Sequence, residues 1–482
     1  MSERFDLIVR NATVVDGTRS PRYRADVGVR GDRIASIGSL GKSRAEVEID
    51  AAGKIVSPGF IDAHTHDDRL MLSAPEMAPK VSQGVTTVVA GNCGVSLAPL
   101  VLGERTAPPP LDLIGDTSWY RFGSFSLYVK NLEENPAATN AALLVGHTTL
   151  RVITMSDLDR PATGKEIEAM QVLVREALEA GAIGCSTGLY YEPARAAPTE
   201  EVIEVCRPLT ARKALYCTHM RDEGDDVTDS LEETFRIGRE LNVPVVVSHH
   251  KVVGLPNHGR TKETLPLIAE RMKSQGIGLD CYPYCASSTI LSADRAALGT
   301  KTLVTWSKPH PEFAGRELGE VANTMGLSEA EAAGRLLPAG AIYFSMDEAD
   351  VQRVLAFEHT MIGSDGLPHD AAPHPRLWGT FPRVLGHYSR GLGLFPLETA
   401  VYKMTGLSAK TFGLKDRGVL KEGAYADLCV FDADTVDEAV TFSQPIKPAK
   451  GIEAVITNGA LVWQDGKPTG ARPGRVLRRE PR

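Results

Sequence analysis

Lys54-Ile-Val-Ser-Pro-Gly-Phe-Ile-Asp-Ala-His-Thr-His66 decides how the chain is read. An apolar run ends in Asp62, followed by His64 and His66 with one residue between them. On an extended strand, residues two apart face the same way, so both imidazoles aim at one point. Pro58 and Gly59 interrupt the run and predict a kink before the histidines. A His-x-His pair at the end of a buried strand suits a divalent transition metal, for which imidazole is a good ligand. Two surface histidines would give the same short pattern, so the rest of the chain has to decide.

Outward from this stretch, strand and helix alternate. Apolar strand-like runs lie at 54–62, 85–90, 141–146, 182–185, 215–218, 243–248, 277–281 and 360–363. Helical patterns lie at 164–180, 199–213, 225–241 and 261–275, the first keeping Ile167, Met170, Leu173, Val174, Ala177 and Leu178 at helical spacing. Repeated units of this number predict an α/β fold, a parallel (β/α)8 TIM-like barrel, with a doubly wound sheet as the alternative. After Tyr282-Pro-Tyr284, about sixty residues pass before the last strand, more than a strand-to-helix connection needs. We read 286–345 as an inserted lid subdomain.

The two ends look different from the middle. Runs at 5–16 and 25–37 read as short strands with turns at Asp16-Gly17 and Gly31-Asp32. Near the other end, 426–431, 452–456 and 460–463 read as strands, with an Asn458-Gly459 hairpin signal. This predicts one small discontinuous β domain, a β-sandwich, from 1–57 and 416–482, flanking a barrel at 58–415.

Composition narrows the function classes. The chain has 482 residues, is 43% hydrophobic and 24% charged, and carries a net charge of −8. That is an ordinary globular balance. With no basic block, nucleic acid is not an expected partner, and no apolar run is long enough to span a bilayer. The N-terminus lacks the apolar core of a signal peptide, and seven scattered cysteines form no disulfide framework, so a cytoplasmic setting is expected. Oligomeric state is not legible.

Polar residues follow the strand-like runs, where a barrel places its site. They are His64 and His66 after the first, Cys93 after the second, His219 after the fifth, His249 after the sixth and Asp365 after the eighth. Singly, Cys93 reads more readily as an inert buried thiol than as a ligand, and Asp365 before Gly366 reads also as a turn residue. Jointly, four histidines, a thiol and a carboxylate are enough for one or two zinc ions, with the thiolate able to bridge two. His249 and His250 alternate faces, so at most one is a ligand. A metal that polarises a carbonyl, with Asp365 to move a proton between water and a leaving amine, hydrolyses an amide. Lys251 and Arg376 are the local cations for a substrate carboxylate, unless they are ordinary surface charges.

These residues resemble a known family. Gly59-Phe-Ile-Asp-Ala-His-Thr-His66 and Gly418-Val-Leu-Lys-Glu-Gly-Ala-Tyr-Ala-Asp-Leu428 are similar to the opening and closing motifs of the amidohydrolase superfamily. Gly91-Asn-Cys-Gly94, Thr218-His-Met-Arg221, Ser248-His-His-Lys251, Gly363-Ser-Asp-Gly-Leu-Pro-His369 and the run from Pro373 to Arg383 resemble its D-aminoacylase branch, the N-acyl-D-amino-acid deacylases. The resemblance covers nearly the whole chain. It implies an enzyme that hydrolyses the linear amide of a small N-acyl-D-amino acid, without membrane or nucleic acid as partner. It implies one tightly held zinc on Cys93, His219 and His249, and a second, weaker position on His64, His66 and Asp365 that shares Cys93. Lys251, Tyr282, Ser288 and Arg376 would receive the α-carboxylate, and Tyr190, Tyr191 and Met346 would line the pocket.

Two other readings fit the residues less well. Hydantoinases and dihydroorotases usually carry a carboxylated lysine after strand four, but Ala182-Ile-Gly-Cys-Ser-Thr-Gly188 has no lysine. A catalytically inactive relative would lack ligand positions, and every position here is filled. The side-chain preference stays open. Met346 favours an apolar partner such as leucine or methionine. Arg295, with small Ala297 nearby, would suit D-glutamate, unless Arg295 is a solvent-facing lid charge.

Overall fold

Eight short parallel strands carry the middle of the chain: Phe60–Asp62, Val85–Ala90, Asn140–Gly146, Gly184–Gly188, Leu215–His219, Val245–Val247, Ile277–Cys281 and Thr360–Ile362. In the computed structural model, which describes residues 4–479, they hydrogen-bond in that order. The first and last meet where Ala63 N–H donates to Ile362 O at 3.1 Å and Asp365 N–H to His64 O at 2.8 Å, so the sheet closes into a barrel. Nearly every strand residue is buried, which is why parallel strands read as continuous apolar runs and not as alternation.

Helices cover the outside. Gly164–Ala180 starts at a capping box of Thr163 and Glu166 and ends at Gly181 in the left-handed region, burying Met170, Val174, Ala177 and Leu178. The helix expected over 199–213 is two, Thr199–Cys206 and Leu209–Arg212, broken around Pro208, which has no amide to donate. No described helix is long and apolar enough to cross a membrane.

The opening stretch serves two sheets, not one. Ile55–Pro58 pairs with Leu428–Phe431 and with Thr13 and Val14, while only Phe60–Asp62 belongs to the barrel. Gly59 is the joint. A Cβ there would lie 2.2 Å from Thr86 Cγ2, so only glycine lets the chain turn against the second barrel strand. The sheet it leaves has nine strands from both ends of the chain, in the order 467–468, 460–464, 452–457, 428–431, 55–58, 4–14, 23–30 and 33–38, with 44–50 beside 4–14. Asn458 and Gly459, with φ of 47° and 82°, make its predicted hairpin turn.

Between the seventh and eighth barrel strands stands a separate unit. Ser287–Ile290, Thr302–Ser307 and Ala339–Tyr343 form an antiparallel sheet, packed with helices Leu318–Met325 and Glu329–Leu336 around Val304, Phe313, Val321 and Leu336. It leans onto the barrel mouth: Tyr191 Oη and Thr289 Oγ1 are 2.9 Å apart, and Arg376 Nη2 donates to Ser288 O at 3.0 Å.

Candidate active site

The side chains after the barrel strands converge on one buried point. One ligand atom each from His64, Cys93, His249 and Asp365 lie within 4.8 Å of one another, and so do those of His219, Glu223 and His249. Cys93 Sγ is 3.3 Å from His64 Nε2 and 3.4 Å from His249 Nε2. Asp365 Oδ1 is 3.5 Å from His64 Nε2 and 3.2 Å from His66 Nε2. Three of these residues hold backbone conformations that non-glycine residues seldom adopt: Cys93 at φ 53°, His249 at 37° and Asp365 at 50°. Each turns the chain sharply at a strand end so that its side chain faces the axis, a strain typical of functional sites.

Charge is tightly balanced there. Burial alone would raise the Cys93 thiol, but the surrounding imidazoles of His64, His249 and His219 hold it well below the ordinary thiol range. Burial likewise opposes ionisation of Asp365, yet Arg376, His249, His66 and His64 keep its carboxyl well below the usual carboxylate range. His66 is pulled down by burial and pushed up, to about 9 overall, by its bond to Asp365 and by Cys93. The donor set of one low-lying thiol, imidazoles and a carboxylate fits a zinc ion. Both ring nitrogens of His219, Nδ1 of His66 and Oε2 of Glu223 are buried with no hydrogen-bond partner, which is what a bound cation would satisfy.

Beside this cluster the expected substrate-binding residues gather around the Tyr282 ring. Arg376, fully buried, lies 4.5 Å over it, and Lys251 Nζ is 5.8 Å from it. Arg376 Nη1 is 3.0 Å from Asp365 Oδ2, yet Nε and Nη1 make no hydrogen bond. Ser288 Oγ is also buried and unpartnered, and Met346 Sδ is 3.7 Å from Tyr282 Oη. The Tyr190 and Tyr191 rings lie tilted against His219, at separations of 5.7 and 5.0 Å. His250 turns away, with Nε2 2.9 Å from Thr264 Oγ1, so of the two adjacent histidines only His249 faces the site.

The solvent-facing alternative for Arg295 is wrong. Only 5% of it is exposed. The short lid helix Ala293–Ala296 lays its guanidinium 4.8 Å over Tyr190, with Nη2 3.6 Å from Glu223 Oε2. The aromatic faces and the carboxylate replace the water an exposed arginine would have.

Two acids escaped the sequence reading. Glu223 lies 2.5 Å from Lys251 Nζ and 3.1 Å from His249 Nδ1, and it is held well below the carboxylate range despite burial, by Lys251, His219 and His249. Its spacing of four from His219 was the one signal available. Asp280 accepts from His249 N–H at 2.9 Å and faces His64 Nδ1 at 3.6 Å. A carboxylate behind a histidine fixes which nitrogen is left to ligate.

Comparison with known proteins identifies the chain's relatives. A family model described as the amidohydrolase family matches residues 47–277 and 304–463. The D-aminoacylase of Alcaligenes xylosoxydans xylosoxydans is 59% identical over 99% of this chain and 98% of its own. The N-acyl-D-aspartate deacylase of the same organism is 52% identical over 98% of this chain and 95% of its own. The crystal structure of N-acyl-D-glutamate deacylase from Bordetella bronchiseptica, complexed with zinc and a phosphonate inhibitor, matches with a TM-score of 0.95 at 46% identity, covering 99% of this chain and 100% of that one.

Proposed function

This chain belongs to the amidohydrolase family, among its N-acyl-D-amino-acid deacylases, and we propose that it uses zinc to hydrolyse the amide bond of N-acyl-D-amino acids, releasing a carboxylate and a free D-amino acid. The observation that carries this reading is the convergence of His64, Cys93, His249 and Asp365 within 4.8 Å beside a buried Arg376 whose Nε is unpartnered. Cys93, His219 and His249 would hold the zinc tightly. His64, His66 and Asp365 would form a second, weaker position sharing Cys93. When bound, the metal polarises the acyl carbonyl and makes water a stronger acid.

The protein's own groups do the rest. Arg376 receives the α-carboxylate through two parallel hydrogen bonds. Lys251, the Tyr282 hydroxyl and Ser288 Oγ complete that subsite, which fixes the substrate Cα and turns the scissile amide toward Asp365. Asp365, ionised under the pull of Arg376, accepts a proton from the attacking water and passes it to the leaving nitrogen as the C–N bond breaks. The lid keeps bulk water out. Tyr190, Tyr191 and Met346 line a pocket for an apolar side chain, as in D-leucine or D-methionine. Hydrolysis of N-acetyl-D- and N-acetyl-L-amino acids by the zinc-loaded enzyme tests the reading. Equal rates on the two enantiomers would overturn it.

One observation favours a D-glutamate side chain instead: Arg295 is buried with its Nε unpartnered. Its position against Glu223 argues that the charge is already answered. On the apolar reading, Arg295→Ala lowers kcat/KM for N-acetyl-D-methionine and N-acetyl-D-glutamate by similar small factors. A loss of about 2 kcal/mol or more on the glutamate substrate alone, as for a lost charge-assisted bond, would make glutamate the preferred side chain.

A further inference from the structure

Behind the site, where the barrel closes, lies a fully buried charge cluster that the reaction above does not use. Lys80, on the short helix Ala78–Val81 between the first and second barrel strands, has no exposed surface. Its ammonium donates to Asp62 Oδ2 at 2.9 Å and to Ser364 Oγ at 2.8 Å, and stands 3.3 Å from Asp67 Oδ2. Asp62 Oδ1 accepts from the backbone N–H of Ser364 at 2.7 Å and lies 3.4 Å from that of His64. One carboxylate thus ties the ends of the first and eighth strands together, and one ammonium ties that carboxylate to the Ser364 hydroxyl.

The seam needs such a tie. Phe60–Asp62 and Thr360–Ile362 share no regular ladder. They are joined by two backbone bonds, Ala63 to Ile362 and Asp365 to His64, and by an isolated bridge between Thr65 and Gly366. His64 and His66 stand on one lip of this seam and Asp365 on the other, with the ring nitrogens 3.5 and 3.2 Å from its Oδ1. Cys93, His219 and His249 come from strands two, five and six and do not depend on it. Buried ion pairs give little net stability over an apolar packing, so a stability role alone does not account for three charges here.

We propose that Lys80, Asp62 and Ser364 are positioning residues that set Asp365 against His64 and His66. They govern the weaker metal position and the proton transfer, and leave the tight zinc and the carboxylate subsite alone. The inference rests on the ligand reading above.

The test uses the enzyme as purified with its tight zinc, titrated with further zinc by equilibrium dialysis and metal analysis. Ser364→Ala and Lys80→Met are compared with wild type and with Asp365→Asn. Ser364→Ala is expected to keep the first zinc, bind the second at least about tenfold more weakly, and lose kcat by about the same factor with KM nearly unchanged. Lys80→Met should do so more strongly. If it fails to fold, Ser364→Ala decides. A second-zinc affinity in Ser364→Ala within about twofold of wild type, while Asp365→Asn loses that ion, overturns the positioning role. So does loss of the first zinc, or a KM that rises as kcat falls, because either marks general damage. If wild type takes up no second ion, or Asp365→Asn binds it normally, the ligand reading has failed and this inference falls with it.

Discussion

Asp365→Asn is expected to keep its tight zinc and its fold while losing kcat by about a thousandfold, a little over 4 kcal/mol in the barrier. The substitution is close to isosteric. Asparagine, like aspartate, tolerates the left-handed backbone that Asp365 holds at φ 50°, so the turn after the eighth strand survives. The proposed tight ligands lie on other strands. What the amide cannot do is take up a proton. It also offers Arg376 no charge, so the ion pair at 3.0 Å is lost and the guanidinium remains free to hold the substrate carboxylate. KM should therefore stay near wild type while kcat collapses, the pattern of an interaction made in the transition state. Metal content by elemental analysis and steady-state kinetics read the two halves separately. Activity within about tenfold of wild type, a change under roughly 1.4 kcal/mol, would remove Asp365 as the proton carrier.

The barrel was legible because parallel strands buried on both faces leave uninterrupted apolar runs, and five of the eight runs were followed within a few residues by a candidate metal ligand. All eight predicted runs contain or overlap the strands of the closed sheet. Where reading failed, the sequence held no contrast. Arg44–Asp50 is a strand, but it is mostly exposed and rich in charge, so it has the composition of a loop. Pro58 and Gly59 predicted a kink between Ile55–Pro58 and Phe60–Asp62, but both halves are wholly buried and apolar, so nothing in the run said that they would join two different sheets. The same limit applied to the site. Asp280 is a single acid inside a buried strand, and Glu223 an acid in a loop; neither position says what it faces. Arg295 reads as a surface charge because most arginines are, and its burial follows from how the lid docks, which is a property of the assembled fold.

Cys93→Ala is expected to remove the tight zinc altogether from the purified protein, and turnover with it. Alanine keeps the Cβ, so the backbone strain at φ 53° is the same in both proteins and the difference between them is the thiolate. That thiolate is prepared in advance: His64 and His249 lie 3.3 and 3.4 Å from the sulfur and hold it deprotonated against the pull of burial. A structural zinc site is worth about 10–16 kcal/mol, so one of its few ligands carries on the order of 3–4 kcal/mol, or more than a hundredfold in affinity. Because the same sulfur is proposed to serve both positions, its loss removes the first ion and weakens the second, whereas Asp365→Asn keeps the first and loses only the second. The remaining imidazoles, left around a neutral methyl, lose one of the two anions that raise His64 against burial, the other being Asp280. Elemental analysis after dialysis measures the outcome directly. Full zinc occupancy in Cys93→Ala would reduce Cys93 to a packed core residue and move the tight site to His219, Glu223 and His249, the other convergent set on the same barrel mouth.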